Sequence, residues 1–183
     1  MPRENKSKYA ILGILSFGPQ SGYDIKKKIE SSTSNFWSES YGQIYPILKQ
    51  FVAQGLATQS IKPQVGKPDR HVYMLTDKGL MELQQWLTEP VEPQVDRIEI
   101  LLKLFFGEQT TVTDNILHVE QFRKQQQQLL QKYQAIAQAA QDADQINTPY
   151  WLMTASYKLH VTQALINWCE ETLAKLNQMA EKI

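Results

Sequence analysis

A helix with its own start and stop signals, followed directly by a hairpin with a basic tip, constrains this chain more than any other feature. The helix runs from Ser40 to Leu56. Ser40 and Gln43 have capping-box spacing, so each side chain can satisfy an orphan N–H at the other's position. Ile44, Leu48 and Phe51 fall on one face, with Ile47 beside them. Gly55 takes the C′ place, where a left-handed backbone ends a helix at no steric cost. The remaining face carries Gln43, Tyr45, Lys49 and Gln50: amide and hydroxyl groups suited to base edges or phosphates, and one cation. An ordinary amphipathic surface helix has the same pattern, so the neighbouring segments decide between the readings.

Two helices precede it. Lys6 to Phe17 is dense in apolar residues and is broken by Gly18-Pro19. Behind Arg3, Lys6 and Lys8 it faintly imitates a signal peptide, but residues 16–22 offer no small-x-small cleavage site, and a buried helix fits better. Ser21 caps the second helix, with Tyr23, Ile25 and Ile29 as inward candidates. Tyr23 fits core packing and phosphate contact equally. Lys26, Lys27 and Lys28 fan around that helix, either as a solvated face or as phosphate contacts. After Gly55, residues 56–62 and 71–76 read as two strands, joined by the turn-rich segment Pro63 to Arg70. Lys67 and Arg70 stand at the tip of this hairpin. Thr76 caps a further helix to Leu87, with Leu80, Leu83 and Leu87 on one stripe and Trp86 beside it.

Helix, helix, capped helix, basic-tipped hairpin, helix is the order of a winged helix-turn-helix, whose third helix enters the major groove while the wing follows the backbone. Net charge is zero, but its distribution is uneven. Residues 1–70 hold ten Lys/Arg against five Asp/Glu, and residues 71–183 hold nine against fourteen, a balance of +5 and −5. An anion-binding part is joined to an acidic part.

Glu89-Pro90-Val91-Glu92-Pro93 separates them, since two prolines three apart cannot lie inside a helix. Residues 1–88 form the expected DNA-binding domain, 89–93 the linker and 94–183 a helical dimerisation domain. Arg97 to Phe106 is a short, very apolar helix ended by Gly107. A long helix capped by Thr113 or Asp114 runs to about Ala140, with a coiled-coil-like seam at 119, 122, 126, 129, 133, 136 and 140. Tyr150 to Ile183 carries a similar seam: Tyr150, Met153, Tyr157, Val161, Ala164, Trp168, Leu176, Met179 and Ile183. Each seam spans about 40 Å at 1.5 Å per residue and is more apolar than one hairpin needs. The two helices can cover each other or a second subunit; the intersubunit reading makes Phe122, Leu129, Tyr133, Tyr157, Val161, Trp168 and Leu176 dimerisation residues. The fold class is thus mainly α, a winged helix-turn-helix joined to a coiled-coil-like helical domain.

Other chemistries find no support. His71, His118 and His160 lack metal-ligand spacing, and Cys169 is the only cysteine. No P-loop, dinucleotide fingerprint or serine-nucleophile elbow is present. The expectation is a protein without cofactor or metal that is not an enzyme. The lone cysteine fits a reducing, cytoplasmic compartment, and no apolar run is long enough to span a bilayer.

The ordered motifs resemble those of the PadR-like transcriptional regulators. They are residues 9–15 (YAILGIL), 21–25 (SGYDI), Phe36-Trp37, 42–48 (GQIYPIL), Gly55-Leu56, 73–79 (YMLTDKG) and 101–106 (LLKLFF). The long carboxy-terminal helices resemble the larger, virulence-activator-type subfamily. The resemblance implies a homodimer with helices crossing between subunits, bound to an inverted-repeat operator on double-stranded DNA, most simply as a repressor. Matching positions make Gln43, Tyr45 and Lys49 groove and phosphate contacts, and the resemblance supplies a proline at Pro46 inside the helix, where a kink is expected. Ser40 and Tyr41 stand at the helix amino end, where backbone N–H groups favour a phosphate. Tyr23, Lys27, Lys67 and Arg70 complete the set. Some relatives bind phenolic acids between their two parts. Trp37, Tyr41, Phe105, Phe106 and Tyr157 are aromatic candidates for a small effector, with His71 and Arg70 for its carboxylate, but each has another use and none is assigned. A winged helix that pairs with a protein partner, scaffolded by the coiled coil, is the rival reading.

Overall fold

The computed structural model describes residues 6–34, 36–63, 66, 69–93, 96–142 and 148–182. Lys67 and Ile183 lie outside the described residues. The chain divides into two compact units, Met1–Pro93 and Gln94–Ile183.

The first unit contains α1 (Ser7–Leu15), β1 (Gln20–Ser21), α2 (Gly22–Ser32), α3 (Tyr41–Gln54), β2 (Ala57–Lys62), β3 (Arg70–Leu75) and α4 (Asp77–Thr88). This is the winged helix-turn-helix expected from the element order. Its core gathers Ile11, Leu12 and Leu15 of α1, Ile25 and Ile29 of α2, Ile44, Leu48 and Phe51 of α3, and Leu56 at the strand entry. Each of these is almost completely removed from water, worth roughly 1.5–3 kcal/mol per large side chain before conformational entropy is counted. Tyr23 departs from the inward row of α2 and is exposed, because positions 25 and 29 already use the narrow core-facing edge.

Both ends of α3 are tied down. At the amino end the Ser40–Gln43 capping box closes, with Gln43 Oε1 accepting from the Ser40 backbone N–H at 2.8 Å and from its hydroxyl at 2.8 Å. At the carboxy end Gly55 has φ +69° and three successive carbonyls, those of Gln54, Gly55 and Leu56, have donors. Lys78 Nζ donates to the Gln54 carbonyl at 2.8 Å, Thr76 Oγ1 to that of Gly55 at 2.7 Å, and the Thr76 N–H to that of Leu56 at 3.0 Å. The helix dipole favours the lysine there.

The sheet has the order β1-β3-β2. β2 and β3 pair antiparallel from Ala57 opposite Leu75 to Lys62 opposite Arg70. β1 pairs with Tyr73 and Val72 of β3; two residues with no alternating pattern become a strand only through that pairing, so their sequence does not announce it. On α4 the inward stripe is Gly79 and Leu83, while Leu80 and Leu87 are exposed. Trp86 instead stacks on Tyr9 of α1, with ring centroids 4.4 Å apart and planes within 5°. The helix is rotated from the expected stripe because Gly79 lets it approach closely: a Cβ there would lie 2.2 Å from the Leu56 carbonyl oxygen.

The second unit contains α5 (Glu99–Phe105), a 3-10 turn (Gly107–Gln109), α6 (Val112–Asp142) and α7 (Thr148–Ala180). The cap of α6 is Thr111, not Thr113 or Asp114. Thr111 Oγ1 accepts the Asp114 N–H at 3.0 Å and donates to Asp114 Oδ2 at 2.7 Å. Those bonds hold the Asp114 carboxyl below its usual pKa. α6 and α7 run antiparallel, since Val119 near the start of α6 packs with Cys169, Leu173 and Leu176 near the end of α7. The α6 seam faces inward, with Val119, Gln126 and Tyr133 buried.

The α7 seam does not. The inward row is Ala155, Thr162, Ile166, Cys169, Leu173 and Leu176, while Tyr150, Met153, Tyr157 and Val161 are exposed. Of the expected positions among the described residues only Leu176 is buried, and Trp168 is half-buried, edge-on to Phe122 at 6.2 Å. The inward row carries Ile166, Leu173 and Leu176 for the core, and its Ala155, Thr162 and Cys169 are small enough for close packing of the two helices.

The contact at Gly79 predicts that Gly79→Ala destabilises the amino-terminal unit by about 2 kcal/mol or more, because a backbone carbonyl cannot step aside. Chemical denaturation followed by circular dichroism measures this; a loss below about 0.5 kcal/mol would contradict the packing.

Candidate nucleic-acid interface

Spacing on two neighbouring helices builds one exposed face. Tyr41, Tyr45 and Lys49 follow each other at intervals of four on α3, and Tyr23 and Lys27 do so on α2. Residues four apart on a helix are surface neighbours. All five side chains are exposed. The Tyr41 and Tyr45 rings stack with centroids 6.1 Å apart and planes inclined by 22°. Desolvation first, then the nearby Glu30 and the Tyr23 and Tyr45 phenols, push the Tyr41 hydroxyl above its ordinary pKa despite Lys26. Tyr41 is therefore a neutral hydrogen-bond donor at physiological pH.

The lysine triplet divides by role. Lys26 pairs with Glu30 at 3.0 Å, and Lys28 lies 5.9 Å from the centre of the Phe17 ring. Lys27 is exposed on the face shared with Tyr23. An exposed cation able to meet a phosphate thus alternates with two engaged ones.

Three expected contacts stand differently. Gln43 lies at the amino end of α3, but its carbonyl oxygen is held by both donors of Ser40. Only its amide nitrogen remains for a base or phosphate, a consequence of the same spacing that caps the helix. Ser40 is exposed, with its hydroxyl turned to Gln43. Arg70 is not at the wing tip. It opens β3, and its guanidinium makes an ion pair with Asp24 of α2.

Asp24 is the knot between wing and helix. It closes the capping box of α2 with Ser21, whose N–H donates at 2.9 Å and whose hydroxyl donates at 2.7 Å. Burial works against its charge, but the Ser21 bonds and Arg70 outweigh it and hold the carboxyl below its ordinary pKa. The register sets Arg70 opposite Lys62, and like charges so placed repel. Asp24 relieves that repulsion and leaves Lys62 exposed at the end of β2. Lys62 is the wing cation that sequence reasoning passed over; its position as the last strand residue before the turn was the available signal.

Glu39 was also missed. It is buried just before the cap of α3, and its Oε1 accepts from Trp37 Nε1 at 2.7 Å. Trp37, an effector candidate, is thereby engaged in the α2–α3 turn. Phe105 and Phe106 are exposed and meet edge to face at 5.0 Å. Tyr157 is exposed near Lys158. His71 pairs with Gln59 at 2.7 Å across the wing. Among the described residues no group of His, Cys, Asp and Glu could hold a metal ion. No described helix is long and apolar enough to cross a membrane.

Residues 11–85 match the Transcriptional regulator PadR-like family, and residues 97–177 match the Virulence activator alpha C-term family. The chain is 41% identical over 101 residues to the negative transcriptional regulator PadR of Bacillus subtilis, a match covering 54% of this chain and 55% of that protein. The chain thus spans about half the length of the curated relatives it matches. Two solved structures resemble it over most of both chains. Bacillus subtilis PadR in complex with operator DNA has a TM-score of 0.85 at 26% identity, covering 94% of this chain and 99% of that one. The same protein in complex with p-coumaric acid has a TM-score of 0.76 at 25% identity, covering 93% and 94%.

The Asp24 knot predicts a pH-dependent stability. A carboxyl whose pKa is lowered on folding adds stability above its unfolded value, near 4, and loses it as pH falls through the folded value. Asp24→Asn should cost about 1 kcal/mol at neutral pH, the usual worth of an N-cap interaction, with the half-exposed ion pair adding little after solvent screening. The gap between wild type and variant should close as pH falls below about 4, read from urea midpoints along a pH series. A gap independent of pH would contradict the assignment.

Proposed function

The chain belongs to the PadR-like family of transcriptional regulators, and from that premise we propose that it is a cytoplasmic, homodimeric repressor that binds an inverted-repeat operator. The observation that carries this reading is the face shared by α2 and α3. The hydroxyls of Tyr23, Tyr41 and Tyr45 supply donors for phosphate oxygens or base edges. Lys27 and Lys49 supply charge one helical turn further along each helix, and Lys62 extends it along the wing. α3 enters the major groove, where the Tyr45 hydroxyl and the Gln43 amide nitrogen reach base edges. Arg70 acts indirectly, by holding the wing to Asp24.

One such module reads too few base pairs for a specific site. Two related by a two-fold axis read half-sites about one helical turn apart or a multiple of it. The apolar row Tyr150, Met153, Tyr157 and Val161 is exposed on α7, and Leu101, Leu102, Phe105 and Phe106 are exposed on α5 and at its end. A single protomer gains nothing from so much exposed apolar surface; a second subunit would bury it. Phe122, Leu129, Tyr133 and Leu176 serve the hairpin core, and Trp168 its edge, so they support the dimer by keeping α6 and α7 together. A small aromatic acid, of the kind seen bound to the Bacillus subtilis protein, would relieve repression.

Salt dependence tests the DNA contacts. Each phosphate neutralised contributes about −0.9 to the slope of log affinity against log salt. Lys49→Ala and Lys62→Ala should each weaken binding to every duplex and reduce that slope by about one. A flat salt response of the wild type would favour a protein partner instead.

Sedimentation tests the dimer. Val161→Asp and Tyr157→Asp place a charge on an exposed row, so the hairpin should keep its helicity while the assembly falls to monomers and loses operator binding. Variants that remain dimeric would place the interface elsewhere.

A further inference from the structure

We infer that Gly22 is a positioning residue for the DNA-reading face, a bare seat that fixes the Tyr45 ring. This rests on the reading of that face as the DNA interface and names what sets its geometry.

Gly22 is the first residue of α2, directly after the cap Ser21. Its backbone is not in the left-handed region, so conformational freedom gives no reason for glycine there. Helix propensity favours alanine over glycine at a helical position. The reason lies across the turn, on α3. A Cβ built on Gly22 would lie 2.6 Å from Tyr45 Cε1, 2.9 Å from Cζ and 3.2 Å from Cδ1. Three ring atoms therefore occupy the space that any side chain would need. The glycine is buried although the Tyr45 side chain is half-exposed. The phenol ring lies against α2 at Gly22, and its centroid is 6.1 Å from that of Tyr41. Tyr23, the next residue, completes the phenol cluster, and desolvation together with the Tyr45 phenol raises the pKa of Tyr73 on β3.

The seat acts on the ring and not on the fold. At Gly79 the obstacle to a Cβ is a backbone carbonyl, which cannot yield. At Gly22 the obstacle is the far end of one side chain, which can rotate away. An added methyl should leave the unit folded, displace the Tyr45 hydroxyl and loosen its stack with Tyr41. Selectivity for the operator should then fall more than affinity for unrelated duplex, whose binding depends on the lysines.

The experiment compares wild type, Gly22→Ala, Tyr45→Ala and the double variant, all as full chains. Binding is measured to the best duplex selected by the wild type and to a scrambled duplex. Gly22→Ala should weaken the selected complex about tenfold, the scale of one lost hydrogen bond to a charged or base-edge group, with little change on the scrambled duplex. In the Tyr45→Ala background the same substitution should do nothing further, since the ring it displaces is gone. Ring carbon and proton signals of Tyr45 in a tyrosine-labelled sample should shift in Gly22→Ala while those of Tyr9 stay. Equal losses in both backgrounds, or unmoved Tyr45 signals, would overturn the seat. A wild type that binds no duplex would overturn the functional reading, and the role in recognition with it, while the ring signals still decide whether the seat exists.

Discussion

The amino-terminal unit depends on the way the carboxy end of α3 is closed. Three consecutive carbonyls, those of Gln54, Gly55 and Leu56, accept from Lys78 and twice from Thr76. Of the three residues only Leu56 is buried, where an acceptor left without a partner costs about 1–3 kcal/mol; the bonds to Gln54 and Gly55 are exposed and act mainly by tying the elements together. Closing them joins α3, β3 and the start of α4 at one point, and Gly79 lets α4 come close enough to do so. The wing and α3 are therefore tied at one junction. The proposed groove reading depends on that tie, since a small rotation of α3 would carry Tyr45 and Lys49 away from the duplex proposed for them.

Charge is organised with the same economy. The balance is zero over the chain and positive in the first 70 residues. Many of the cations there are engaged: Lys6 with Glu92, Lys8 with Glu82, Lys26 with Glu30 and Arg70 with Asp24. What remains outward among the described residues, at Lys27, Lys49 and Lys62, lies on the helices and strand that build the face. A modest excess of positive charge can serve a DNA-binding surface when it is concentrated in this way, with tyrosine hydroxyls as donors between the cations.

Much of this was legible in the sequence, and the exceptions have physical causes. Ser21, Ser40, Thr76 and Gly55 mark helix ends through side-chain or backbone chemistry confined to a few neighbouring residues, so these boundaries could be read directly. The strand β1 could not, because its order comes from β3. Arg70 looked like a free wing cation because Asp24, its partner, is 46 residues away. Gln43 satisfied two readings at once, cap and base reader, and the cap claimed its carbonyl. On α7 two apolar rows compete. Periodicity favours the aromatic one, whereas packing against α6 buries the row that holds Ala155, Thr162, Ile166, Cys169, Leu173 and Leu176. The row read from periodicity is thus the apolar row left outward in one protomer, the row proposed to meet a second subunit.

The central claim is that two copies of the α2–α3 face grip the two halves of one symmetric site. Selection of bound sequences from a random duplex library, followed by sedimentation of the purified protein on the winning duplex, tests it most directly. The account predicts an inverted repeat with half-sites spaced by one helical turn or a multiple of it, occupied by two chains. Enrichment of no sequence, or an asymmetric site holding a single chain, would contradict it.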